Sequence, residues 1–356
     1  MLLGYRKFLE KSLSFSGYAR NFGKTGRKAY IGWNDPCGKE RTNMERSKEF
    51  QEFCNQMLKA VKKRFPEKVT IEIHKVLKNN STELDGLVIL APEQMLSPNF
   101  YLQMYFEEYK KGVDIASLAK QIEETYYEVL CDGENLELDM SFESCEEKIV
   151  FRLVSYDRNS LLLQTVPHLR FLDMAVTFHI LLRQDEEGIG SVRITNQLSH
   201  TWNLDAEALF NLAKVNTKRI FPQKAYSMTS MMKRILDFEK NGESRNYFNI
   251  EAAGQIAQVD EPYVITNSNG INGASVILYT DILKEIGEFL GEDFYLLPSS
   301  IHEMLAIPVS APMDVAEMHE MVGEVNKSCV VSEEILSDNV YRYECRTETI
   351  RICTDK

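Results

Sequence analysis

Two short apolar runs, Phe294–Leu297 and Met304–Ile307, stand six residues apart around a polar centre of Ser299, Ser300, His302 and Glu303. A gap that short cannot hold the crossover that joins parallel strands, so the stretch reads as strand, turn, strand. The same construction recurs along the chain. Val69–Leu77 alternates apolar Val69, Ile71 and Ile73 with polar Thr70, Glu72 and His74, passes through Lys78–Thr82, and returns as Leu84–Leu90. Such alternation marks a half-buried strand, and the Asn-Asn-Ser-Thr sequence between is turn chemistry.

The longest apolar run, Pro167–Arg183, sets Met174, Val176, Phe178, Ile180 and Leu182 on one face. Ala175, Thr177, His179 and Leu181 fall on the other. With a turn at Gln184–Gly190 and a return at Ser191–Asn196, it reads as a hairpin buried on both faces near its middle. Ile149–Ser155 reads as a further strand, and Val340–Ile352 as one or two closing strands. Tyr263–Thr266 and Ser275–Tyr279 read as another hairpin around Asn267–Gly273. A Gly-rich loop cradles phosphate when it opens a helix; this one is expected to open a strand, so it is assigned as a turn.

Helices fill the intervals. Phe50, Phe53, Cys54, Met57, Leu58 and Val61 recur at three and four, one apolar helical face. Helices are also expected at Tyr101–Lys111, Ile115–Leu130 (capped by Asp114), Asn159–Thr165, Tyr226–Asn241 and Ile282–Leu290. Asp205 and Asp314 each cap a helix that closes on Val-Asn, at Val215-Asn216 and Val325-Asn326. The expected class is α+β, with antiparallel hairpins or a mixed sheet packed on helices. The C-terminal lobe, residues 148–356, resembles a loosely duplicated ββα arrangement, and residues 44–131 form a smaller N-terminal α+β lobe.

Residues 1–43 differ from the rest. They hold nine Lys/Arg against three Asp/Glu, and six of the 18 glycines. They read either as a basic arm or as an upstream extension, since Lys39-Glu40-Arg41 can be encoded by a purine-rich stretch placed like a ribosome-binding site before Met44. The whole chain nevertheless carries a net charge of -12, which disfavours nucleic acid as a partner. No apolar run reaches the roughly 20 residues that span a bilayer, so no membrane association is expected. Seven scattered cysteines without a C-x-x-C pair suit a reducing cytoplasm.

Two polar segments are candidates for chemistry. Ser299, Ser300, His302 and Glu303 have the residue types of nucleophilic catalysis, but neighbouring side chains in a strand diverge and no G-x-S-x-G elbow is present. His168, Arg170 and Asp173 sit at the mouth of the longest apolar strand. They read as an anion- or ligand-contacting edge or, by preference, as a salt-bridged strand terminus. No His pair at i,i+4 and no H-E-x-x-H occurs, so neither a metal nor a cofactor is expected.

Four phrases in order carry a resemblance: Lys78-Asn79-Asn80…Glu83-Leu84-Asp85-Gly86-Leu87, Pro167–Asp173, Leu297–Glu303 and Leu336-Ser337-Asp338-Asn339-Val340-Tyr341. Together they resemble the uncharacterised bacterial domain-of-unknown-function family 5688, from about Met44 to the C-terminus. The resemblance implies a cytoplasmic bacterial protein and assigns no catalytic role. The expected function is a non-catalytic module that binds a protein or small-molecule partner. The alternative is a hydrolase-like enzyme whose site is assembled around the His168 and His302 segments.

Overall fold

The computed structural model describes residues 48–91, 99–132, 139–185, 188–228 and 262–354. The 1–43 extension, most of the helix expected at 226–241 and the loop expected at 242–260 lie outside them. Among the described residues every strand pairing is antiparallel, in three sheets. With helices packed against those sheets, the fold is α+β. Contacts divide the chain into two compact units at Met140 and Ser141.

The first unit contains α1 (Lys48–Lys62), β1 (Thr70–Leu77), β2 (Glu83–Leu90), β3 (Asn99–Tyr101), α2 (Leu102–Lys110) and α3 (Ile115–Asp132). β2 lies between β1 and β3. The apolar stripe of α1 (Phe50, Phe53, Met57, Val61) is buried with Ile71, Leu87, Ile89, Phe106 and Ile122. Gly112, at φ +97°, separates α2 from α3, a conformation that costs glycine little. Asp114 then restarts the helix by accepting the backbone N–H groups of Ala116 and Ser117.

The second unit holds two sheets. β4 (Ile149–Ser155), β5 (His168–Phe171), β6 (Met174–Asp185) and β7 (Gly188–Arg193) form one. β6 carries β4 on one edge; its other edge is shared by β5 over Met174–Thr177 and by β7 over His179–Asp185. The 167–183 run is therefore two strands, hinged at Leu172 with φ 57°. The buried face, Phe151, Leu153, Val176 and Phe178, lies towards α7 (Ala206–Ile220), whose Phe210 ring stands 5.7 Å from Phe151.

The other sheet has the order β13-β12-β10-β11-β9-β8. Its strands are β8 (Gln223–Ser227), β9 (Tyr263–Asn267), β10 (Phe294–Ser300), β11 (Glu303–Pro308), β12 (Tyr341–Glu344) and β13 (Thr349–Ile352). α9 (Val315–Ser328) buries Met318, Met321, Val322 and Val325 with Leu297, Leu305 and Ile307 of β10 and β11.

Two expectations need correction. Ser275–Tyr279 is not the return strand of a hairpin. Gly273–Leu278 is a 3-10 segment, because both edges of β9 are already taken by β8 and β11. Tyr226 and Ser227 belong to β8 rather than to a helix. The 3-10 segment instead covers the free edge of β4. Ser275 Oγ accepts the Leu153 N–H at 3.1 Å, and Thr217 Oγ1 of α7 accepts the Phe151 N–H at 3.0 Å. Two hydroxyls thus satisfy backbone donors that a fifth strand would otherwise have to meet.

Candidate functional site

Side chains on a strand alternate between faces, so the register of the four-stranded sheet decides which of them share a surface. Opposite the buried face, Arg152, Thr177 and His168 stand in one row across β4, β6 and β5. The next row is Val150, His179 and Arg193, across β4, β6 and β7. Val154, Ala175 and Arg170 form the row on the other side, and Leu181 faces Ser191. Tyr156 continues the surface past β4, its ring 4.5 Å from the Arg170 guanidinium and 6.0 Å from His168. In a chain of net charge -12, one sheet face holds three arginines and two histidines, and no carboxylate appears in its register.

The cationic groups come together at its centre. Arg152 Nη2 donates to Ser191 Oγ at 2.7 Å, so this side chain starts on β4, crosses β6 and ends at β7. Arg193 is two residues further along β7, and its Nε is buried without a hydrogen-bond partner. Among the described residues no carboxylate lies within ion-pair distance of either guanidinium. Burial, and then Arg193, pushes the Arg152 pKa down to about 10. Burial also lowers that of Arg193. His179, only 6% exposed, is held well below the ordinary imidazole range, first by burial and then by Arg152 and Arg193. Its Nε2 is 3.3 Å from Thr177 Oγ1.

That depression has a sign. The unfolded chain takes up a proton on this imidazole near pH 6.5 and the folded chain resists it, so folding loses stability as pH falls below about 6.5. The His179 part of that loss approaches 1.4 kcal/mol per pH unit at most, roughly one proton's worth. Thermal melts at pH 7 and pH 5 should show a smaller drop for His179→Gln than for the native chain. Equal drops would remove His179 from the account.

Arg152 also borders a small cleft, with about 10 Å³ of water-accessible space, opposite Asn267, Ile271 and Asn272. The wall holding those three residues is fixed by the second candidate segment. Asn272 N–H donates to His302 Nδ1 at 3.0 Å, so the ring proton sits on Nε2 and is donated to Glu334 Oε1 at 2.8 Å. Ser300 Oγ accepts the His302 N–H, and Ser299 Oγ donates to Glu303 Oε1 at 3.1 Å. Both imidazole nitrogens are thus engaged away from the two serine hydroxyls.

The first segment is divided. His168 and Arg170 belong to the basic face, and His168 Nδ1 lies 3.1 Å from the Val166 carbonyl. Asp173 turns to the six-stranded sheet, accepting Ser337 Oγ at 2.6 Å, Asn339 Nδ2 at 3.0 Å and Tyr341 OH at 2.6 Å. Arg170 donates to the Leu172 carbonyl rather than to Asp173, so the expected salt bridge at this strand terminus is replaced by a neutral-donor cluster. Burial, and then Asp173, raises the Tyr341 pKa, which keeps the phenol a donor. The residues from Glu334 to Tyr341 therefore touch both segments, Glu334 at His302 and Ser337, Asn339 and Tyr341 at Asp173. Two of the phrases that carry the resemblance, Pro167–Asp173 and Leu336–Tyr341, meet through the hydrogen bonds of Asp173.

Residues 50–345 match the model of a family of unknown function, DUF5688. The chain belongs to that family. It matches none of the curated proteins and none of the solved structures with which it was compared. The matched region spans both units and every residue of the basic face. No group of three or more His, Cys, Asp or Glu among the described residues is arranged to hold a metal ion, and no helix among them is long and apolar enough to cross a membrane. Arg152, His179 and Arg193 were missed as site residues at the level of sequence. The available signal was a charge inside an apolar strand, Ile149-Val-Phe-Arg-Leu-Val-Ser155.

Proposed function

We propose that this protein is a binding module for a small anionic ligand, seated on the sheet face of Arg152, Thr177, His179, Ser191 and Arg193. The observation that carries the reading is the buried, unpartnered Nε of Arg193 beside a second guanidinium, with no carboxylate among the described residues at either. Buried charges are normally paired, and an unmet buried donor costs about 1–3 kcal/mol, so a cluster left this way is poised for an anion from outside. The rival hydrolase has less support, because Ser299 and Ser300 are hydrogen-bonded elsewhere than to an imidazole. Residence in a bacterial cytoplasm belongs to the same proposal. Cys54, Cys329, Cys345 and Cys353 are free thiols, as a reducing compartment would leave them.

The test is thermal stability in sulfate, phosphate and acetate against chloride at matched ionic strength. An anion at a hundredfold excess over its Kd should stabilise the native chain by about 2.7 kcal/mol. Arg193→Met should lose that response and, without ligand, melt higher than the native chain by on the order of 1 kcal/mol, since a buried donor without a partner is gone. No anion response in the native chain would end the proposal, as would an Arg193→Met variant that responds like native.

A further inference from the structure

We infer that the anion taken by this face is a phosphoryl dianion, gripped between Arg152 and Arg193 with the hydroxyls of Ser191 and Thr177 beside them. The inference rests on the anion-binding reading above and narrows it to one charge and shape.

Charge is the first argument. The centre of the face brings two guanidiniums together with no counter-charge among the described residues. A carboxylate or a phosphodiester brings one negative charge and leaves one positive charge uncompensated in a site that water reaches poorly. A phosphate monoester near neutral pH brings close to two, and inorganic phosphate comes close to two somewhat above neutral pH. Since the cost of an unbalanced charge rises as surroundings lose water, the ligand that cancels both is favoured.

Donor geometry is the second. Arg193 contributes an unused buried N–H, and Arg152 keeps guanidinium hydrogens beyond the one given to Ser191. The Ser191 hydroxyl accepts from Arg152, so its own proton is free to point outward. The Thr177 hydroxyl lies in the row below, between Arg152 and His168. These donors come from β4, β6 and β7, spread over about 10 Å by ordinary strand spacing. Donors spread over three strands suit the several oxygens of a tetrahedral anion better than the single plane of a carboxylate. The cleft beside Arg152 admits only a water-sized group, so any organic substituent must leave on the side where Ser191 and Arg193 are partly exposed.

A proton should accompany the ligand. His179 is the ionisable side chain between the two arginines, and the charged groups facing it are Arg152 from β4 and Arg193 from β7. Their repulsion helps keep it neutral in the empty site. A dianion cancels that repulsion, and the imidazole then regains affinity for a proton.

The experiment is calorimetric titration of the full chain at about pH 7.5, where both phosphate probes are mainly dianions, in two buffers of different ionisation enthalpy. The probes are inorganic phosphate, phenyl phosphate, dimethyl phosphate and acetate. The expected result is that phosphate or phenyl phosphate binds at least tenfold tighter than dimethyl phosphate or acetate, with net proton uptake that His179→Gln diminishes. Whichever of the two dianions binds tighter names the source, free phosphate or a phosphate ester. If dimethyl phosphate or acetate binds as well as the dianions, the inference fails while the anion-binding reading stands. If none of the four binds, both fail. Should His179→Gln not fold, the comparison of monoanion with dianion on the native chain still decides.

Discussion

Replacing Gly273 by alanine should destabilise the second unit by about 3 kcal/mol, although the change adds one methyl group. An added Cβ would stand 2.0 Å from Thr266 Oγ1, 2.5 Å from the His302 carbonyl oxygen and 2.8 Å from the Asn267 nitrogen. Two of those atoms are backbone and cannot rotate aside. The third makes the 2.8 Å hydrogen bond from Thr266 of β9 to the His302 carbonyl in the β10–β11 turn, both residues being buried. Accommodating the methyl therefore means moving β9, the β10–β11 turn or the 3-10 segment, and losing that bond as well. At roughly 2–4 °C per kcal/mol for a unit of this size, the melting transition should fall by about 6–12 °C. The same displacement moves Asn272, which walls the cleft beside Arg152, so anion affinity should fall with it. A variant melting within about 2 °C of native would show that the packing at Gly273 yields more easily than these distances allow.

Gly273 also marks a limit of what the sequence could say. Asn267–Gly273 reads as a turn between two strands, because glycine and asparagine tolerate positive φ and the next five residues are mostly apolar. Asn272 does adopt φ 54°. The chain nevertheless continues as a 3-10 segment rather than a strand, because tertiary pairing decides between the two and β9 has no free edge. The strand that occupies the edge, β8, is hidden in the sequence because Gln223–Ser227 alternates too weakly to compete with helical spacing further on. Where the pattern is local and strong, sequence and structure agree. The Asp205 and Asp314 side chains accept Ala208 and Glu317 N–H groups as N-caps should, and the second closes a full capping box. The apolar stripe of α1 is the buried one, and the Phe294–Pro308 hairpin pairs as its spacing requires.

The site is less legible than the fold for a related reason. His168 and Arg170 draw attention because they cluster in sequence. Arg152, His179 and Arg193 do not cluster, and only the pairing of β4, β6 and β7 places them on one face. A single arginine in an apolar strand has many explanations; three such positions in register have fewer. The conspicuous Ser299–Glu303 cluster has its polar groups tied up in hydrogen bonds that hold the turn and the loop facing Arg152. Ionisable side chains crowded along a chain are commonly neighbours because a turn needs them, whereas a site draws from elements far apart.

Asp173→Ala should cost about 3–5 kcal/mol, more than any surface charge in the chain. One carboxylate accepts from Ser337, Asn339 and Tyr341 at 2.6 to 3.0 Å, and Tyr341 is fully buried. Removing it strands three donors at once, and hydrogen bonds to a charged acceptor are worth about 1.5–3 kcal/mol each before their mutual dependence is counted. Asp173 lies in the β5–β6 turn and Tyr341 opens β12, so the cluster fastens the basic sheet to the six-stranded one. Tyr341→Phe removes a single donor and should cost about 1–2 kcal/mol, leaving Ser337 and Asn339 on the carboxylate. Arg158→Ala breaks the 2.6 Å pair with Asp338, but its partners are 37% and 56% exposed, and the change should stay within about 0.5 kcal/mol. Denaturant melts of the three variants should therefore separate in that order. If Asp173→Ala falls no further than Arg158→Ala, the carboxylate is only decorating a turn, and the two sheets are held together by packing alone.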